Sequence, residues 1–238
     1  MKTSNTALLG LLLTAAGVAL AAPASAQTDA NTIPAARSFV SPERFILELR
    51  GGPFKPDLGG NEAFSQFFGG DSGPFLGAQL HYILYRLPDI AYATIGGGFG
   101  WSSYSGKARA RDSTEAVSEE TSLTLFPLSA VASIRIDVLP RNFQIPFIFT
   151  GKLGFQWTNW DTNTGARDDA SGWSLGPLFG AQAALDLDTF DSAAARSLDE
   201  DWGINHSFLF FEVYHFAPTD KSLPVGGTSW LLGLGFTF

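Results

Sequence analysis

The chain has no cysteine, so neither a disulfide framework nor a thiolate metal centre can be built from it. Charge is scarce as well. Only 16% of residues are Asp, Glu, Lys or Arg, where about 25% is usual for a water-soluble domain. Positive charge is scarcest, with 15 Lys and Arg against 23 Asp and Glu, a net charge of −8. That balance excludes the basic surface needed for general nucleic-acid binding. Beyond Leu20 there is also no apolar run approaching the ~20 residues of a membrane-spanning helix. What is present in their place is glycine and aromatic surface: 26 Gly, 21 Phe and 6 Trp. An apolar chain without apolar helices must place its grease on alternating strands. If it meets a bilayer, only a closed barrel satisfies every backbone N–H and C=O there.

The first residues carry an export pattern. Lys2 supplies a positive start, Ala7 to Leu20 is a short apolar stretch, and Ala24-Ser25-Ala26 fits an A-x-A cleavage site. Residues 1–26 therefore read as a cleaved signal peptide. Residues 27–43, with Pro34 and Pro42 and no clear period, read as a flexible arm.

From Arg44 to Phe238 the hydrophobic period is two, and eight strands are expected, at about 44–52, 75–85, 91–103, 121–139, 147–159, 173–187, 205–216 and 229–238. The fifth is the clearest: Phe147, Phe149, Leu153, Phe155 and Trp157 alternate with Thr150, Lys152, Gly154, Gln156 and Thr158. In the fourth, Leu123 and Leu125 have the opposite parity to Ala130, Ala132 and Ile134, which predicts a bulge at the intervening Pro127. Long polar connections at Pro53–Pro74, Tyr104–Glu120, Trp160–Gly172 and Ala217–Thr228 alternate with short ones at Arg86–Ile90 and Pro140–Pro146. Long outer loops and short periplasmic turns are the topology of an outer-membrane barrel. Asp188–Gly203 breaks the rule, and its Ala-rich centre behind Asp191 predicts a short periplasmic helix at 191–201. A second short helix is expected around Glu62–Phe68.

The bulkier face is the apolar one, with Tyr82, Trp101, Trp157, Trp173 and Trp230 near strand ends as aromatic girdles would require. A soluble barrel reverses that polarity. The expected fold class is thus all-β: an eight-stranded antiparallel up-and-down transmembrane barrel with a short periplasmic helix.

The last seven residues resemble the assembly signal of outer-membrane barrels. Gly233, Phe236 and Phe238 match it, while Leu231 stands where a polar residue is common. Phe45–Gly52, Phe64–Phe68 and Asp201-Trp202-Gly203-Ile204-Asn205-His206 leading into Phe208–Glu212 further resemble a family of small outer-membrane barrels of myxobacteria and their relatives, a family without an assigned activity. The resemblance covers most of the chain after residue 26. It implies fold and location, with outer-membrane lipids and the barrel-assembly machinery as partners, and no reaction or cofactor.

Six inner-face charges, Glu48, Arg50, Arg135, Asp137, Lys152 and Glu212, are the candidate lumen site. Eight strands leave an interior that side chains can fill, and buried charges must pair, so a network plugging the lumen is expected. A selective filter is the rival reading. Catalysis has thin support. Gly172-Trp173-Ser174-Leu175-Gly176 matches G-x-S-x-G, yet it opens a strand rather than a strand-to-helix turn. His81, His206 and His215 lack an evident nucleophile, since Ser207 beside His206 should face the other way. The acids at 186, 188, 191, 199, 200 and 201 lack calcium-loop spacing and read as a solvated rim. The expected function is a structural or surface-interaction barrel. A narrow pore for small hydrophobic or ionic solutes, and a lipid-modifying enzyme, are the alternatives.

Overall fold

The computed structural model describes residues 42–59, 64, 68, 72–88, 90–109, 116–164, 167–219 and 224–238. The signal segment and nearly all of the arm lie outside them. So does the first-loop helix, apart from Phe64 and Phe68, both helical.

Eight antiparallel strands close into one barrel in sequence order. They are β1 (Phe45–Phe54), β2 (Gly73–Leu87), β3 (Ala91–Arg109), β4 (Ala116–Ile136), β5 (Phe147–Thr164), β6 (Arg167–Asp186), β7 (His206–Phe216) and β8 (Gly227–Thr237). Closure is made by β8 on β1, from Ile46↔Thr237 to Gly51↔Leu232. The seam continues past the strands: the Phe238 carbonyl accepts from the amides of Arg44 and Phe45, and the Phe238 amide donates to the Phe45 carbonyl at 2.8 Å. No backbone edge is left along this seam, which is what closure achieves.

The period of two places side chains as expected along most of the wall. Leu84, Ile134 and Leu153 are each about 60% exposed on the outside, whereas Glu48, Gln79, Lys152 and Glu212 are buried inside. β4 is where the expectation fails. Its register with β3 is the same on both sides of Pro127, at Phe99↔Leu128 and Ser102↔Leu125, so no bulge rephases the strand. Leu123 and Leu125 point inward because the lumen itself turns apolar there. They join Phe54, Phe64, Phe75, Tyr104, Phe216 and Leu231 in a buried cluster.

Two expected loops are also mostly strand. β3 and β4 stay paired to Lys107↔Glu120, and β5 and β6 to Thr164↔Arg167. Beyond the zone where one face must be apolar, alternation is no longer required, yet Ser and Thr still sustain a ladder. Polarity there marks a change of surroundings rather than the end of a strand.

At the opposite rim, which carries Arg44 and Phe238, the connections are compact. The expected turn at Pro140–Pro146 contains a six-residue helix, α1 (Val138–Phe143), so β4 ends at Ile136 and not at Leu139. The helix expected at 191–201 is present as α2 (Ser192–Trp202). The Asp191 carboxylate caps it by accepting from the amides of Ala193 at 3.1 Å and Ala194 at 2.9 Å. Gly203, at φ 68°, ends it in the left-handed conformation that glycine adopts without strain. Among the described residues, no helix is long and apolar enough to cross a membrane.

Candidate functional site: a charged layer inside the barrel

The lumen is layered. The apolar cluster around Phe75, Tyr104 and Leu125 fills the half next to the long hairpins. A second cluster, Ile46, Ile83, Tyr92, Ile148, Ala184, Phe208 and Phe210, fills the half next to the terminal rim. Between them lies a polar layer in which Lys152 is central. Its Nζ donates to Glu48 Oε2 at 2.5 Å, to Glu212 Oε2 at 3.1 Å and to Gln79 Oε1 at 3.1 Å. Arg50 Nη1 donates to the other oxygen of Glu212 at 3.1 Å, and Gln182 donates to Glu48 Oε1 at 3.1 Å. Four of the six candidate charges therefore form one network.

Neighbouring rings complete it. Arg50 lies 5.3 Å from the Tyr214 centroid and 5.8 Å from that of Phe75, while Lys152 lies 5.7 Å from Phe210. These contacts place cations on aromatic faces that also exclude water. Glu48 and Glu212, on β1 and β7 with β8 between them, both reach the Lys152 ammonium.

Arg135 and Asp137 correct the six-residue expectation. Asp137 pairs with Arg141 of α1 at 2.5 Å, and Arg135 stacks 3.7 Å from the centroid of Phe208. The reason is axial position. Arg135 is opposite Thr150, one inward step nearer the terminal rim than Lys152, which is opposite Ser133. Phe208 and Phe210 then stand between Arg135 and the carboxylates. Conversely, Gln79, His81 and Gln182 belong to the layer. His81 Nε2 lies 3.3 Å from Gln79 Oε1, and His81 Nδ1 lies 3.3 Å from Thr94 Oγ1. Their parity with Lys152 and Glu48 was the available signal.

A separate cluster spans the terminal rim. Glu43, just before β1, pairs with Arg86 of β2, with Arg141 of α1 at 3.8 Å and with His206 of β7 at 3.2 Å. Burial opposes ionisation of Glu43, but hydrogen bonds from His206 and Arg86 outweigh it and hold the carboxyl down at about 2. His206 Nδ1 also meets Asp188 Oδ2 at 2.7 Å, and Asp188 Oδ1 accepts from the Ser207 amide and hydroxyl. One carboxylate thus reaches both neighbours. Asp186, Asp188 and His206 offer ligand atoms within 4.8 Å of one another. Both His206 nitrogens already face carboxylates, which makes this a hydrogen-bonded cluster. The acidic rim divides accordingly, with Asp191 capping α2 and Asp201 accepting from Ser197 at 3.2 Å.

The other catalytic candidates are accounted for locally. Ser174 is buried in β6 and accepts from the Val225 amide at 3.2 Å, and His215 is exposed beside Thr228 at 2.8 Å.

The three terminal-signal residues have distinct places. Phe236 pairs with Leu47 on one side and Ser207 on the other, and Phe238 makes the seam. Gly233 faces the lumen, where a Cβ would collide with the Leu49 carbonyl oxygen and the Phe210 ring. A Cβ at Gly235 would meet the Phe208 ring first. Glycine here makes room for the aromatic layer beneath the charges. Gly235→Ala should accordingly destabilise the barrel by about 1–3 kcal/mol, as overpacking does. Phe208→Leu in the same chain should recover part of that loss in a thermal melt; no recovery would assign the cost to something other than this ring.

No family model matches the chain, and no curated protein matches it. Solved structures do. Neisserial surface protein A is 12% identical over 82% of this chain and 97% of its own, with a TM-score of 0.48. Outer membrane protein OprG of Pseudomonas aeruginosa is 12% identical over 82% and 97%, at 0.47. The attachment invasion locus protein Ail of Yersinia pestis, solved with the heparin analogue sucrose octasulfate, is 10% identical over 82% and 99%, at 0.46. The barrel described here rests on its own hydrogen-bond ladders.

Proposed function

We propose that this chain is an integral outer-membrane barrel whose lumen is closed by the Glu48–Lys152–Glu212–Arg50 network, and that it serves as a structural or surface-interaction protein. The observation that carries the reading is the inverted polarity of the wall. Phe149, Leu153 and Phe155 are about half exposed on the outside, while charges are buried inside. Lipid repays such an exterior; water does not. The rim with Glu43, α1 and α2 then lies in the periplasm, and the extended β3–β4 and β5–β6 hairpins rise outside the cell. Phe143, Phe190 and Trp202, exposed around the compact rim, suit the headgroup region. The paired strand β8 is the segment offered to the assembly machinery.

The charged layer favours closure over conduction. Its groups are bonded to one another and lie between two apolar clusters, an arrangement that supports a closed lumen. In planar lipid bilayers the purified protein should give no discrete openings. Reproducible single-channel steps would overturn the closed lumen in favour of a pore.

A further inference from the structure

Between Arg135 and the rim cluster lies a cavity of about 210 Å³, lined by Tyr92, Arg135, Asp137, Arg141, Asp186 and His206 among others. That is several times the roughly 30 Å³ a water occupies in the liquid. We propose that this cavity binds a small oxyanion of the carboxylate or phosphate class, held by the Arg135 guanidinium.

Arg135 is 2% exposed, and its Nε and Nη1 are buried with no hydrogen-bond partner among the described residues. Stacking on Phe208 and Tyr92 engages only the faces of the guanidinium. The Nε and Nη1 N–H groups remain unspent, and each belongs to an edge that, together with Nη2, can present two parallel N–H groups to a planar or tetrahedral oxyanion.

The carboxylates nearby are committed elsewhere. Asp137 is bonded to Arg141 at 2.5 Å; Asp186 accepts from the Asp188 amide at 3.3 Å and from Thr189 at 3.4 Å. Glu43 is shared among Arg86, Arg141 and His206, and Glu48 is bonded to Lys152. Water in the cavity would satisfy the N–H groups but not the charge. A buried guanidinium with no carboxylate bonded to it among the described residues is costly, and an oxyanion on its free N–H groups relieves that cost. The entrance lies beside Arg141 and His206, so the ligand arrives from the terminal rim and not from the hairpin end.

The test uses the full chain refolded in detergent micelles. Inorganic phosphate and acetate are titrated calorimetrically at constant ionic strength, with chloride as the background anion. One saturable site per chain is expected for at least one oxyanion, with a melting temperature that rises with its concentration. Arg135→Gln should weaken binding about tenfold or more, and Arg135→Lys, which keeps the charge and loses the paired N–H groups, about two- to tenfold. Absence of saturable binding by the wild type overturns the proposal. So does an unchanged affinity in Arg135→Gln, or in Arg135→Lys should the glutamine variant not fold. A response to phosphate alone assigns the phosphate class, and a response to acetate as well assigns the carboxylate class.

Discussion

Lys152→Met should lower the unfolding free energy by about 3–5 kcal/mol, the usual cost of removing one partner from a buried ion pair. Among the described residues, the ammonium is the only group bonded to both carboxylates of the layer, at 2.5 Å from Glu48 and 3.1 Å from Glu212. A thioether of similar length fills the space and donates nothing. The loss divides unequally, because Arg50 still covers Glu212 at 3.1 Å, whereas Glu48 keeps only Gln182 and the more distant His81 at 4.0 Å. Adding Glu48→Gln to Lys152→Met should therefore recover much of the stability, since the double variant buries no orphaned charge there. Thermal conversion of the folded band on unheated gels, or denaturant titration in micelles, reads both steps. An unchanged midpoint in the single variant would mean that the layer is not structural.

Phe149→Arg and Phe211→Arg form the second large effect. Both side chains are outward, 47% and 44% exposed; Phe211 lies at the middle of β7, whereas Phe149 is the third residue of β5, opposite Ile136 at the end of β4. At the midplane of a bilayer an arginine costs about 2–4 kcal/mol in a barrel of this kind, falling to about 0–1 kcal/mol near the interfaces. Ser105→Arg supplies the contrast. Ser105 shares the outward parity of Trp101 but lies four residues farther toward the hairpin tip, about 13 Å at 3.3 Å per residue. Folding yield into lipid vesicles should fall most for Phe211→Arg, less for Phe149→Arg, and stay near wild type for Ser105→Arg. Equal tolerance of all three would reverse the face assignment.

How far the fold could be read from sequence depended on where the two faces differ. On β5, Phe, Leu and Trp alternate with Thr, Lys and Gln, and the strand and its orientation are both legible. On β7, Phe208 and Phe210 inside alternate with Leu209 and Phe211 outside, so hydrophobicity carries no parity and Glu212 alone marks the lumen. The same ambiguity produced the expected bulge at Pro127: Leu123 and Leu125 resemble lipid-facing residues, yet they face an apolar part of the lumen. The hairpin ends of β3 to β6 were hidden for a different reason. Outside a bilayer, both faces of a strand can be polar, and such a stretch cannot be told from a loop by pattern.

The site was legible to the same degree. Glu48, Arg50, Lys152 and Glu212 stand out as inner-face charges, and the requirement that buried charges pair is enough to bring them together. Axial height was not available. It depends on strand tilt and register, and it decided that Arg135 stacks on Phe208 instead of joining the carboxylates. The Glu43 cluster was invisible because Arg86, Arg141 and His206 approach it from three separate parts of the chain.

The central claim, an apolar wall facing lipid around a sealed polar layer, can be measured position by position. Because the chain has no cysteine, each introduced one is unique and can carry a spin label. In vesicles, labels at Phe149, Gly151, Leu153 and Phe155 should collide freely with oxygen, which concentrates in the bilayer, and scarcely with a water-soluble nickel chelate. Labels at Thr150 and Gln156 should be shielded from both. Strong collision with the nickel chelate at the four outward positions of the folded protein would contradict the account.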